Sequence, residues 1–121
     1  MDAKADAGAG NVIFCEDYTH AIISVHTASS ANCTLKFAGS IAEAAPAFAS
    51  AQSVSNSYDF LQVKDLEDAT AIDGDTGLVL SGTDDNRLFE VNINAVRWLT
   101  ARITAISAGA VTVKVRLYSN L

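Results

Sequence analysis

Acidic side chains are the first candidates for chemistry in this chain. The stretch DGDTGLVLSGTDDNR, residues 73–87, sets Asp73, Asp75, Asp84 and Asp85 around the apolar run Leu78-Val79-Leu80. With Asp65, Glu67 and Asp68 included, seven of the fourteen acidic residues fall between positions 65 and 85. Oxygen-rich loops bind calcium, so the spacing is tested first against the helix–loop–helix calcium motif. If Asp73 is position one, Asp75 falls at three and Asp84 at twelve. Leu78 then occupies the place where that loop turns on glycine, and no glutamate closes it. An EF-hand is excluded, and a looser calcium site between neighbouring loops is kept as the minor reading. The major reading is structural. Asp-Gly favours a type I′ turn, whose two central residues both need positive φ. DGDTG and SGTDDN then flank one short strand, with their carboxylates in water. Cleavage of a glycoside by paired carboxylates would need two acids across a cleft, one with a raised pKa, and nothing in the spacing selects such a pair.

The remaining reactive side chains are sparse. His20 and His26 share strand parity but sit about 20 Å apart along an extended strand, too far to chelate one metal. Cys15 and Cys33 come with no metal-ligand spacing and are expected as buried, reduced thiols on different strands. A Ser–His–Asp set can be picked from any serine-rich chain. No nucleophile elbow, phosphate loop or dinucleotide fingerprint is present. The expectation is a protein with no enzymatic activity, no metal and no cofactor. A formal net charge of −6, with the cations scattered singly, argues against direct contact with nucleic acid. No apolar run approaches the roughly 18 residues that cross a bilayer. The start MDAKADAGAG lacks the basic and apolar segments of a secretion signal. Synthesis in the cytoplasm, with no membrane partner, is expected.

Whatever works in this protein must be positioned by strands. From residue 12 onward apolar residues recur at period two, with little at 3.6. Ala21, Ile23 and Val25 share one face, as do Cys33, Leu35 and Phe37. Further along, Phe89, Val91 and Ile93 form such a set, then Leu99, Ala101, Ile103 and Ala105, and finally Val111, Val113, Val115 and Leu117. Ser-Ala-Gly at 107–109 reads as a hairpin turn between the last two strands. About eight strands with one apolar face each must pack as facing layers. The expected fold is all-β, an antiparallel β-sandwich of jelly-roll-like topology over residues 12–121, preceded by an extended N-terminal arm at 1–11. Residues 41–57 lack strand character. Ser40 and Glu43 have capping-box spacing for one helical turn, which Pro46 would cut short. The arm has nothing to bury by itself, so a neighbouring subunit is the expected support. Removing residues 2–10 is expected to weaken attachment and leave the domain folded.

Outward aromatic and arginine side chains mark the candidate contact surface. The candidate contact residues are Val12 and Phe14 just after the arm, Phe48 on the long connection, Arg97 with Trp98, and Tyr118. For Trp98, Tyr118 and Phe48 the competing reading is a ring tucked against its own sandwich. The segments LKFAGSI, PAFASAQSVSNSYDFLQVKDLEDATAIDGDTG and GTDDNRLFEVNINAVRWLTARIT, within a likeness spanning residues 12–118, resemble small β-sandwich structural proteins of tailed bacteriophages that decorate or cement the capsid. The resemblance carries no catalytic signature. It implies a virion protein that binds and stabilises the lattice of the major capsid protein, and a homo-oligomer, with a trimer among the options. Tail or head–tail junction proteins are a related alternative. A carbohydrate-binding module using Trp98, Tyr58 and Tyr118 is an alternative of another class.

Overall fold

The structure, a computed structural model, describes residues 1–119. Positions 120–121, the end of the expected sandwich domain, lie outside the described residues. Among those residues there is no helix. Nine strands form one antiparallel sheet: β1 (Gly8–Ala9), β2 (Ile13–Phe14), β3 (His20–Ser40), β4 (Asp59–Phe60), β5 (Val63–Asp65), β6 (Ala71–Ile72), β7 (Leu78–Thr83), β8 (Asn86–Asn92) and β9 (Trp98–Tyr118). β3 and β9 have 21 residues each, so each runs straight through what the sequence reads as two strands.

A 21-residue strand would span about 70 Å if straight, yet both ends of β3 feed one core. Ala21, Ile23 and Val25 from its first half join Cys33, Leu35 and Phe37 from its second. The strand therefore folds over, and the turning point is visible. Ser29 and Ser30 have φ of 60° and 54°, and the β3–β9 register shifts between Ala28 and Asn32. The neighbours bend on the same line. β9 bends at Gly109, φ 82°, whose Cα packs so close to β3 that an added Cβ would overlap Ala31 and sit 2.7 Å from the Ala28 carbonyl oxygen. β7 pairs with residues 31–35 of β3 and β8 with residues 20–26, and Asp84-Asp85 joins them at the fold line. The Asp84 carboxylate accepts the Ser30 N–H at 2.6 Å, and the buried Thr27 hydroxyl accepts the Asp85 N–H at 2.9 Å.

The sandwich is thus a single ribbon folded across its middle. One layer holds the first half of β3 and the second half of β9, with β8, β5 and β6. The other holds the second half of β3 and the first half of β9, with β7, β4, β1 and β2. The layers meet through pairs such as Phe37 and Phe89, ring centroids 6.3 Å apart. Ser-Ala-Gly at 107–109 is accordingly a bend within β9, not the hairpin turn expected. A second irregularity skips Thr104: Leu35 pairs with Ile103 and Thr34 with Ala105. That slip reverses the facing, so Ala105 is exposed and Ile106 packs on the core.

The capping-box spacing starts no helix. The Ser40 hydroxyl instead accepts the Ala42 N–H at 3.1 Å and donates to the Ser57 carbonyl at 2.6 Å, closing the base of the 41–57 connection. That connection folds over the outer face of the second layer, where Phe48 and Tyr58 bury against Ala38. The arm also departs from expectation, because its support comes from its own chain. Lys4 pairs with Val111, Gly8 with Ile103 and Ile13 with Leu99, so the arm follows β9 around the fold. Met1 accepts the Val113 N–H at 2.9 Å and packs on the core beside Gly10, which bonds to Ala101 in the other layer. The arm therefore seals the side of the sandwich that β9 would leave open.

Candidate functional site

The aspartate turns come first, since they could carry ions. Asp73 accepts the Asp75 and Thr76 N–H groups at 2.7 and 3.1 Å, and its carbonyl accepts the Gly77 N–H. This is the local turn an Asx side chain builds for itself. The left-handed residue is Gly77, φ 75°, whereas Gly74 is needed because a Cβ there would overlap the Phe60 carbonyl. The type I′ turn expected from Asp-Gly is therefore not formed: residues 73–76 have no positive φ, and the Asx turn at Asp73 with left-handed Gly77 reverses the chain instead. Asp68 accepts the Thr70 N–H in the same manner. Among the described residues, no group of three or more His, Cys, Asp or Glu side chains is arranged to hold a metal ion.

Asp65 stands apart from the other aspartates. It points between the layers, 4% exposed, and pairs with Arg87 on β8. The hydrogen bond from Arg87, then one from the Glu67 backbone, holds its carboxyl below the ordinary range. The guanidinium also lies 5.0 Å from the Phe89 ring centroid. This pair was not singled out from the sequence, although the signal was present: Asp65 shares parity with the buried Val63, and Arg87 with the buried Phe89. Opposite charges at two inward positions imply each other, because neither is tolerable there alone. The two thiols are free and buried, and burial pushes Cys15 up to about 11 and raises Cys33 as well. Raised thiols of this kind are poor nucleophiles.

The expected contact residues separate into three groups. Ser40, Trp98 and Phe14 stand opposite one another on β3, β9 and β2, so Trp98 and Phe14 share the outer face of the second layer. Their rings meet edge-on at 5.1 Å, and the indole N–H donates to the Ala42 carbonyl at 2.9 Å. Trp98 is thereby fixed while part of its surface stays open. Phe14 is 48% exposed, Val12 is 40% exposed two positions back, and Ile41 beside Ala42 is 76% exposed. Arg97 is tied to Glu16 at 2.8 Å next to them. Val12, Phe14, Arg97 and Trp98 thus gather at the end of the sandwich where β9 begins.

Phe48 and Tyr118 do not join that group. Phe48 is 2% exposed and packs on Tyr58 with ring centroids 5.2 Å apart, so it is a corrected expectation: it pins its own connection. Tyr118 lies on the outer face of the other layer. It stacks on His20 at 5.3 Å and donates to the Glu90 carboxylate at 2.7 Å, a bond that raises its pKa.

Two apolar contributors escaped the sequence reading. Ile41 sat within a segment read only as a connection. Val54, 102% exposed, caps a turn closed by Ser53 and Asn56. The Asn56 side chain binds Ala47 through both its oxygen and its nitrogen and also reaches the Ala51 carbonyl, so this apolar tip is held stiffly. The corner can bury apolar area against another surface. It presents no converging polar groups of the kind a reaction needs.

No family model matches the chain, and no curated protein matches it significantly. Among solved structures, the crystal structure of the SPBc2 prophage-derived protein YomS is similar. It superposes with a TM-score of 0.71 over 97% of this chain and 86% of that one, at 12% identity. The likeness concerns the fold, an all-β antiparallel architecture spanning nearly the whole chain.

Proposed function

We propose that this chain is a non-enzymatic structural protein of a phage virion, one that binds and stabilises the capsid lattice from outside. The observation that carries the reading is the exposed apolar corner of Val12, Phe14, Ile41 and Trp98, with Val54 on the adjoining outer face. Free apolar groups of this size on stiff supports are what a contact surface needs. The similar fold of a prophage-derived protein supports the phage setting. The mechanism is linkage: a protein that binds only the assembled lattice stabilises it as binding tightens. The net charge of −6 suits an outer position, away from packaged nucleic acid.

The sugar-module alternative is disfavoured by the rings it would use. Tyr58 is 7% exposed, and the hydroxyl of Tyr118 is committed to Glu90. Co-sedimentation of the purified protein with capsids and, separately, with tails of the phage that encodes it tests the proposal. Binding to capsids that falls about tenfold in Phe14→Ser/Ile41→Ser, with unchanged melting, supports it. Binding to tails alone, or undiminished capsid binding by the variant, overturns it.

A further inference from the structure

The 41–57 connection lies over the second layer and leaves the outer face of the first layer uncovered. Register places its side chains in rows across three strands. Lys114, Ser24 and Leu88 form one row, and Arg116, Ile22 and Glu90 the next. Leu88 is 50% exposed, and Leu66, whose N–H bonds to the Leu88 carbonyl, is 42% exposed. The face therefore carries two cations on β9 and, across β3 from them, the apolar Leu88 and Leu66. Six of the eight lysines and arginines are engaged by a carboxylate, a ring or a hydroxyl. Among the described residues, Lys114 and Arg116 are the two that are not. Both are exposed.

The complementary surface lies on the far side of β3. The turns joining β5 to β6, β6 to β7 and β7 to β8 all sit on the side of β3 away from β9. They carry Glu67, Asp75, Asp84 and Asp85, all exposed and none in an ion pair among the described residues. Between the last two turns runs β7, whose sole strand partner among the described residues is β3, and Val79 on it is 62% exposed. The molecule thus shows two cations without an ion pair on its β9 side and, on the opposite side of β3, an apolar residue flanked by carboxylates without an ion pair, with Leu88 and Leu66 on the β8–β5 part of the first layer.

We propose that these two surfaces bind each other between copies: the Lys114/Arg116/Leu88 face of one chain takes the β7 edge of the next, with Val79 against Leu88, and Asp75 and Asp85 beside the cations. Because the surfaces differ, the contact is head-to-tail. It repeats until it closes into a ring or grows as a filament. The acidic chain tolerates self-association because opposite charges are separated across its width and meet at the contact. The inference does not rest on the capsid reading, since it is measured on the purified chain alone.

The experiment is sedimentation velocity of the full chain over a concentration series, in about 50 mM and about 500 mM sodium chloride. Four variants are compared: Lys114→Glu/Arg116→Glu, Asp75→Lys/Asp85→Lys, Val79→Ser, and Lys4→Glu/Arg97→Glu as a charge-matched control away from both surfaces. Thermal melting of each reports whether the fold persists. The expected result is self-association weakened at least about tenfold by high salt and by each of the first three variants. The control is expected to behave like the unmodified chain. An equimolar mixture of the two charge-reversed proteins regains association, because each restores the surface the other lacks. A chain that stays monomeric at low salt overturns the proposal. So does association that survives Lys114→Glu/Arg116→Glu, or that the control abolishes equally.

Discussion

The fold line gives the sharpest test of how this sandwich is made, and Gly109 is the residue to perturb. Alanine at 109 must adopt φ near 82°, a left-handed conformation that costs an L-residue about 1–2 kcal/mol. Its methyl group must also displace the β3 backbone, with Ala31 overlapping it and the Ala28 carbonyl oxygen 2.7 Å away. Over-packing against a backbone that carries a ladder adds about 1–3 kcal/mol. Gly109→Ala is therefore expected to cost about 2–5 kcal/mol. Gly82 supplies the control inside the same molecule. Its φ is 66°, and nothing lies within 4 Å of where a Cβ would stand, so Gly82→Ala carries the conformational cost alone, about 1–2 kcal/mol. Denaturant unfolding of the two variants, read as midpoint shifts at constant slope, measures the difference. At about 4 °C per kcal/mol for a domain of this length, the gap between them corresponds to several degrees in Tm. Equal destabilisation by the two substitutions would refute the close approach at the fold line.

Three further outcomes are expected. Asp65→Asn should cost about 3–5 kcal/mol near neutral pH, since it leaves Arg87 half-buried without its counter-charge. Because folding lowers the Asp65 pKa, its stabilisation is full above the ordinary carboxylate value and fades as pH falls through the lower folded value. The acid branch of an unfolding curve should therefore be shallower in Asp65→Asn than in the unmodified chain. Deleting residues 2–10 should lower stability by about 2–4 kcal/mol in denaturant unfolding. The deletion removes the paired Lys4–Val111 bonds, the Gly10–Ala101 bond and the cover over the open side, at about 1 kcal/mol net per bond. An unchanged midpoint would return the arm to a free role. Labelling of Cys15 and Cys33 by a disulfide reagent at pH 8 should run roughly a hundredfold slower in the folded protein than in denaturant, because burial both hides the thiols and raises their pKa.

Alternation alone placed most of the core. Ile23, Leu35, Phe89, Val91, Leu99, Ile103 and Val111 are buried as their parity requires, because a strand in a two-layer protein has only one dry side. Parity failed where it was interrupted: past Thr104 the bulge turned Ala105 outward and Ile106 inward, and no residue type there announces an unpaired position. Ser-Ala-Gly at 107–109 was equally ambiguous, since a glycine with positive φ serves a hairpin turn or a bend within a strand. Only contact with Ala28 and Ala31, some 80 positions away, decides which. For the candidate surface, alternation turned Trp98 outward, but only strand pairing sets Phe14 beside it, and alternation could not tell that Phe48 would be covered or that Ile41 and Val54 would be left bare. Exposure of a side chain on a connection depends on where the connection lies down.

By itself, the sequence determined the class of structure: strands with one apolar face each, joined by turns that hold most of the 65–85 carboxylates. Those are local properties, set by the two-residue period and by turn residues acting on their own backbone. The tertiary structure alone decided that two pairs of apparent strands are single strands folded across one line. It also brought Asp65 to Arg87 and laid the arm along β9 of its own chain. Each of these depends on contacts between residues far apart in sequence, whose energy exists only once the ribbon has closed on itself.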